Sequence, residues 1–147
     1  MSAEFRILVA EDDENDRFFL RRAAEKAGVK NTIDFVNNGQ EAVDYLSGTE
    51  AFSDRNAYPL PTILLLDLKM PLLDGFDVLK WVREHPRLGR LPVIVLSTSN
   101  LQEDVDRCYN LGANSYLMKP TETGKLQETV IEITNYWLGL NRCPECE

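Results

Sequence analysis

Pro61-Thr62-Ile63-Leu64-Leu65-Leu66-Asp67-Leu68-Lys69-Met70-Pro71 is an apolar run that stops abruptly at a carboxylate. Opened by Pro61 and closed by Met70-Pro71 and Asp74-Gly75, it has the length and punctuation of a strand buried on both faces, as in a parallel sheet covered by helices. Asp67 falls where that strand ends. Ligands of open parallel α/β sheets bind outside the carboxyl ends of the strands, so this acid stands where chemistry is usually done. Taken alone, an aspartate after a strand is more simply a turn residue. Its significance depends on what the neighbouring strands end in.

On the N-terminal side, Phe5 to Ala10 is a first mostly apolar strand running into Glu11-Asp12-Asp13. A helix follows from Glu14 to Ala27, with Phe19, Leu20, Ala23, Ala24 and Ala27 at helical spacing, Asp13 as N-cap and Gly28 as stop. Thr32 to Val36 is a second strand, and Asn37-Asn38-Gly39 turns into a helix carrying Ala42, Val43 and Leu46. Ser47 to Tyr58 has no sustained period and is expected to be a loop insertion.

Beyond Asp67, Asp74-Gly75 opens a helix through Phe76, Leu79 and Val82 that ends at His85-Pro86. Leu91 to Leu96 is a fourth strand ending in Ser97-Thr98-Ser99, and Asn100 with Glu103 resembles a capping pair for a helix reaching Gly112. Ser115 to Met118 is a fifth strand, ending in Lys119-Pro120. A final helix spans about Glu122 to Leu140, with Leu126, Val130, Ile133, Trp137 and Leu140 in one core stripe. Ile131 and Leu138 lie off that stripe, which suggests a self-association face and a homodimer.

Strands alternating with helices predict one α/β domain over residues 1–147, with an extended C-terminal helix and a short tail: a doubly wound, five-stranded parallel sheet of flavodoxin-like type. The strand order 2-1-3-4-5 is adopted from doubly wound domains of this size rather than derived. Composition agrees: 147 residues suffice for one core, and 27% charged with 44% hydrophobic residues is a globular balance. A net charge of -8 disfavours nucleic acid as a partner. Asp67 and Lys69 interrupt the only extended apolar region, so no membrane span is expected. The cysteines Cys108, Cys143 and Cys146 suit a reducing, cytoplasmic setting, and the Cys143-Pro144-Glu145-Cys146 spacing reads as a frayed tail rather than a metal or redox pair.

The strand ends supply Glu11 and Asp12, then Asp67, then Ser97, then Lys119. Converging carboxylates repel one another unless a cation holds them, and Mg2+ is the hard cation that a few oxygen ligands accommodate. A cation, a lysine and a hydroxyl around a carboxylate can stabilise a transferring phosphoryl group, with Asp67 as nucleophile. No glycine-rich phosphate loop of the G-x-x-x-x-G-K-[ST] kind is present, so a nucleotide is not the expected donor.

With Glu11-Asp12, Asp67, Ser97 and Lys119-Pro120 in that order and spacing, the chain resembles a response-regulator receiver domain over essentially its whole length. The resemblance implies a phosphoacceptor, Asp67, that takes its phosphoryl group from a phosphohistidine of a sensor histidine kinase. Rather than being an enzyme acting on other molecules, such a domain catalyses its own phosphorylation and dephosphorylation. It implies Mg2+ held by Glu11 or Asp12, by Asp67 and by the main-chain carbonyl of Lys69, a cis Lys119-Pro120 bond, and a switch pair at Ser97 and Tyr116. Two departures stand out: the acidic pair is Glu-Asp rather than Asp-Asp, and Thr98 follows Ser97 where a small residue is usual. The insertion at residues 47–58, the Pro59-Leu60-Pro61 entry and the lack of an output domain resemble stand-alone regulators that pair with cyanobacterial bacteriophytochrome-type kinases. A magnesium phosphohydrolase would instead place its nucleophile in a D-x-D motif after the first strand, and a phosphorylation-independent scaffold would not need Asp67 and Lys119.

Overall fold

The computed structural model describes residues 5–28 and 32–145. Cys146, half of the C-x-x-C spacing, lies outside the described residues. Five strands, β1 (Arg6–Ala10), β2 (Thr32–Val36), β3 (Ile63–Leu66), β4 (Val93–Ser97) and β5 (Ser115–Met118), form one parallel sheet in the order 2-1-3-4-5. Helices α1 (Glu14–Lys26), α2 (Gly39–Ser47), α3 (Gly75–Glu84), α4 (Gln102–Asn110) and α5 (Thr123–Thr134) alternate with them. The expected fold class and order are those observed.

Strand side chains point alternately to the two faces, and the core divides accordingly. Leu8, Ala10, Leu64, Leu66, Val93 and Val95 face α2 and α3, where Ala42, Tyr45, Leu46, Val78, Leu79 and Val82 complete one cluster. Ile7, Val9, Ile63, Leu65, Ile94 and Leu96 face α1 and α5, meeting Leu20, Ala23, Ala24, Leu126, Val130 and Ile133. Because both faces are covered, the central strands read as unbroken apolar runs.

The insertion before β3 is more ordered than its composition suggests. Phe52, on a 3-10 turn at Glu50–Phe52, and Tyr58 both stack against Tyr45 of α2. Arg55 ties them down, donating to the carbonyls of Tyr45, Leu46 and Tyr58 and so closing the C-terminal end of α2.

Two local expectations are corrected. Helix α4 begins after Leu101, and no side chain caps it; Ser99 supplies the turn instead, its hydroxyl accepting from Leu101 N–H at 3.3 Å and donating to Asp104 at 2.6 Å. The last helix departs from a 3.6-residue period at Asn135–Leu140, which is a π-helical turn. Its wider turn delays the apolar face by one residue, so Leu138 is buried while Leu140 is 80% exposed. Leu138 is therefore core, and the surplus pair with Ile131 that suggested a self-association face is not present. The large exposed side chains of this segment are Tyr136 and Leu140.

Candidate functional site

The site forms because adjacent strands end level with one another. Ala10 is paired with Leu66 and Leu66 with Val95, so Glu11 and Asp67 leave the sheet side by side, with Asp67 N–H donating to the Ala10 carbonyl at 3.1 Å. Beyond β4, Lys119 N–H donates to the Ser97 carbonyl at 2.7 Å, extending the ladder one residue past β5. Gly75 lets α3 start against this tip: a Cβ there would lie 2.4 Å from the Asp67 carbonyl oxygen. Asp74 and Asp77 close the same helix end with a reciprocal capping box.

Among the described residues, Glu11, Asp67 and Ser97 are the buried polar ones, at 2%, 9% and 1% exposure. The Lys119 ammonium enters between the acids. It pairs closely with Glu11, donates to Asp16 Oδ2 at 3.0 Å and lies 3.7 Å from Asp67 Oδ2. Asp67 Oδ1 accepts from Leu68 N–H at 2.8 Å, which fixes the carboxylate plane. One oxygen is thus anchored, and the other faces the lysine beyond hydrogen-bond range.

Burial raises the Glu11 carboxyl to about 7; the Asp67 charge pushes the same way, and the bond from Lys119 opposes both. For Lys119, burial works against the charged form, but the surrounding acids outweigh it and hold the ammonium protonated above its ordinary range.

One carboxylate oxygen from each of Glu11, Asp12 and Asp67 lies within 4.8 Å of the others. The set carries more negative charge than Lys119 neutralises and offers only hard oxygen donors, which fits Mg2+. Both Glu11 oxygens are already engaged, by Lys119 and by Asp13 N–H at 3.2 Å, whereas the Asp12 side chain is exposed. Asp12 and Lys69 line an adjoining cavity of about 580 Å³ with Met70, Pro71, Ser99 and Asp104.

Ser97 sits at the end of β4, its hydroxyl accepting from Ser99 N–H at 3.2 Å. Tyr116 of β5 is half-buried, and its hydroxyl donates to the Ser99 carbonyl at 2.8 Å. The two expected switch residues therefore meet through Ser99 rather than directly. The Lys119-Pro120 bond is trans, as are all described peptide bonds. This corrects the expectation of a cis bond: Lys119 keeps its ladder hydrogen bond in the commoner isomer, and nothing in the turn demands the other.

Asp16 and Ser99 were not singled out from the sequence. Asp16 lies three residues past the α1 cap Asp13, in the first turn beside the strand tips, and that spacing was the available signal. Ser99 had none beyond following Ser97 by two.

The model of the response regulator receiver domain family matches residues 7–131. The "probable methanogenesis regulatory protein FilR2" of Methanothrix harundinacea is 40% identical over 140 residues, covering 95% of this chain and 88% of that protein. Among solved structures, the phosphorylated cyanobacterial phytochrome response regulator RcpA superposes with a TM-score of 0.90 at 31% identity, over 97% of this chain and 100% of the other. The Mn2+-bound form of response regulator Rcp1 gives 0.85 at 30% identity, over 96% and 99%.

Proposed function

The chain belongs to the response-regulator receiver family, and from that premise we propose that it is a signalling protein of a two-component system that accepts a phosphoryl group on Asp67 from a phosphohistidine of a sensor histidine kinase. The observation that carries the reading is the placement of the buried Asp67 carboxylate beside the Lys119 ammonium, at 3.7 Å, and beside the acids of the β1 tip.

In the transfer, an Asp67 oxygen attacks phosphorus, an oxygen–phosphorus bond forms, and the nitrogen–phosphorus bond breaks with its electron pair returning to the donor imidazole. Oδ1, held by Leu68 N–H, keeps the carboxylate oriented, so little reorganisation is needed. Lys119 is drawn mainly to Glu11 and Asp16, which leaves Asp67 the freer nucleophile and the ammonium close enough to follow charge onto a phosphoryl oxygen. Asp12, Asp67 and the Lys69 carbonyl would hold Mg2+ directly, with Glu11 behind them positioning Lys119; the ion supplies positive charge to the transferring group. Ser97 offers its hydroxyl to the bound phosphoryl group. Movement of Ser97 would reach Tyr116 through the Ser99 carbonyl and alter the surface made by α4, β5 and α5. The same groups serve hydrolysis of the acyl phosphate, so the protein acts catalytically only on itself.

The relatives in phytochrome signalling favour a phytochrome-type kinase as donor, and a cytoplasmic location goes with that role. No helix among the described residues is long and apolar enough to cross a membrane. Homodimerisation through the last helix is carried in this proposal without the Ile131–Leu138 pair, since Leu138 is buried; sedimentation equilibrium showing only monomer at high concentration removes it.

The test of the central claim is incubation with Mg2+ and a small phosphodonor, followed by intact mass. One base-labile phosphate on the parent and none on Asp67→Asn is expected. Catalytic release of free phosphate without a covalent product would favour a phosphohydrolase, and no reaction at all would leave a binding scaffold.

A further inference from the structure

Leu72 is held where a leucine has least reason to be. Its φ is +70°, and Leu73 N–H donates across it to the Pro71 carbonyl at 2.9 Å, forming a three-residue γ-turn of the strained hand. Glycine adopts that backbone freely and asparagine with little penalty, whereas a leucine does so only under constraint. The constraint comes from both sides. Leu73 packs its main chain onto Gly39, where a Cβ would stand 2.0 Å from the Leu73 carbonyl oxygen. Asp74 is fixed by the α3 capping box, and Gly75 N–H reaches back to the Leu68 carbonyl at 2.9 Å.

The turn is therefore demanded by the fold, but its central side chain is not. That side chain is 77% exposed, so it gains almost nothing from burial while making the backbone harder to hold. A single exposed leucine needs no explanation; one at a left-handed position beside a reaction centre does. The loop runs directly from the nucleophile, and its preceding residues Lys69, Met70 and Pro71 wall the cavity that also holds Asp12. Asp67 is only 9% exposed, so a protein that delivers a phosphoryl group to it must lay its own surface across this rim. A small phosphodonor need not.

We propose that Leu72 is a docking residue for the protein phosphodonor: a rigid apolar projection that enters a hydrophobic recess on the histidine-bearing domain and helps distinguish it from other donors. This rests on the phosphoacceptor reading of Asp67, and the test separates the two. Parent, Leu72→Gly, Leu72→Asn and Leu72→Met proteins are phosphorylated with Mg2+ and a small phosphodonor, and in parallel by an autophosphorylated histidine kinase that labels the parent.

Leu72→Gly and Leu72→Asn are expected to melt at or above the parent temperature and to react with the small donor within about twofold of it. Transfer from the kinase should fall about tenfold or more in kcat/KM, mostly through KM, the loss that unburying one leucine side chain would cause. Leu72→Met should retain transfer. Kinase transfer to the glycine variant at the parental rate overturns the proposal, as does a loss confined to kcat. Failure of the small donor to label Asp67 in the parent overturns the underlying reading instead.

Discussion

Lys119 is 8% exposed at its side chain and Glu11 2%, so removing the ammonium leaves a buried acid without its partner. Lys119→Met should cost about 3 kcal/mol at pH 8, toward the low end for a broken buried pair because Glu11 can take up a proton in compensation. Glu11 titrates near 7 against an ordinary 4.5. Below 4.5 it is protonated whether the chain is folded or not; between 4.5 and 7 the folded form holds the proton that the unfolded form has lost, so metal-free stability falls as pH rises through that window. Urea unfolding in EDTA at pH 5 and pH 8 should show this slope in the parent. It should also show a smaller penalty for Lys119→Met at the acid end, and Glu11→Gln should restore much of the stability lost at pH 8. Much of this was readable because a strand's last apolar residue and the acid after it are neighbours in the chain, as in Ala10-Glu11 and Leu66-Asp67. Asp16 and the γ-turn at Leu72 were not, since one depends on which way a helical side chain leans and the other on a backbone hand that leucine does not advertise.

Among the elements, the last helix departs most from a regular template. A period of 3.6 assigned Trp137 and Leu140 to the core; with the π-helical turn Trp137 packs partly buried against the cluster, Leu138 is buried and Leu140 is left exposed. Leu138→Ala should destabilise by about 2–4 kcal/mol and Leu140→Ala by less than about 0.5 kcal/mol in chemical unfolding, and equal effects would contradict the turn. No local residue pattern announces such a widening: the stretch Asn135–Leu140 keeps apolar residues compatible with a 3.6-residue period. Helix α4 presents the opposite case. Its period was legible, yet Cys108 is its sole buried residue, with Leu101 and Tyr109 about half exposed. Burial pushes the Cys108 thiol up to about 11, with the Asp104 charge adding to it. In the folded protein at pH 8, a thiol reagent should therefore modify Cys143, which is partly exposed, and spare Cys108. The slow labelling of Cys108, followed by peptide mass, then reports detachment of α4. A rate that does not slow as the protein is stabilised would mean the thiol is already accessible.

For the molecule as a whole, the parallel sheet followed from alternating strands and helices, but its order could only be adopted by analogy, because crossover rules leave more than one arrangement open. That order matters energetically. It brings Glu11 and Asp12 from the end of β1 and Asp67 from the end of β3 to one point, with Lys119 arriving from β5. In a chain of net charge -8 this point concentrates repulsion that only the folded state must bear. A divalent cation there would bind the folded form alone, since in the unfolded chain more than fifty residues separate Asp67 from Glu11 and Asp12. At a hundredfold excess over its dissociation constant, Mg2+ should add about 2.7 kcal/mol to the unfolding free energy. In a domain of this size that raises Tm by about 5–10 °C. Sodium chloride at matched ionic strength screens the repulsion without being coordinated and should give a smaller shift that does not saturate. Asp12→Asn, which removes an exposed carboxylate and no packing, should move the Mg2+ dependence to higher concentration while leaving the metal-free Tm unchanged or slightly raised. If sodium reproduces the magnesium shift, or Asp12→Asn leaves the dependence where it was, the three acids are not acting as a metal site.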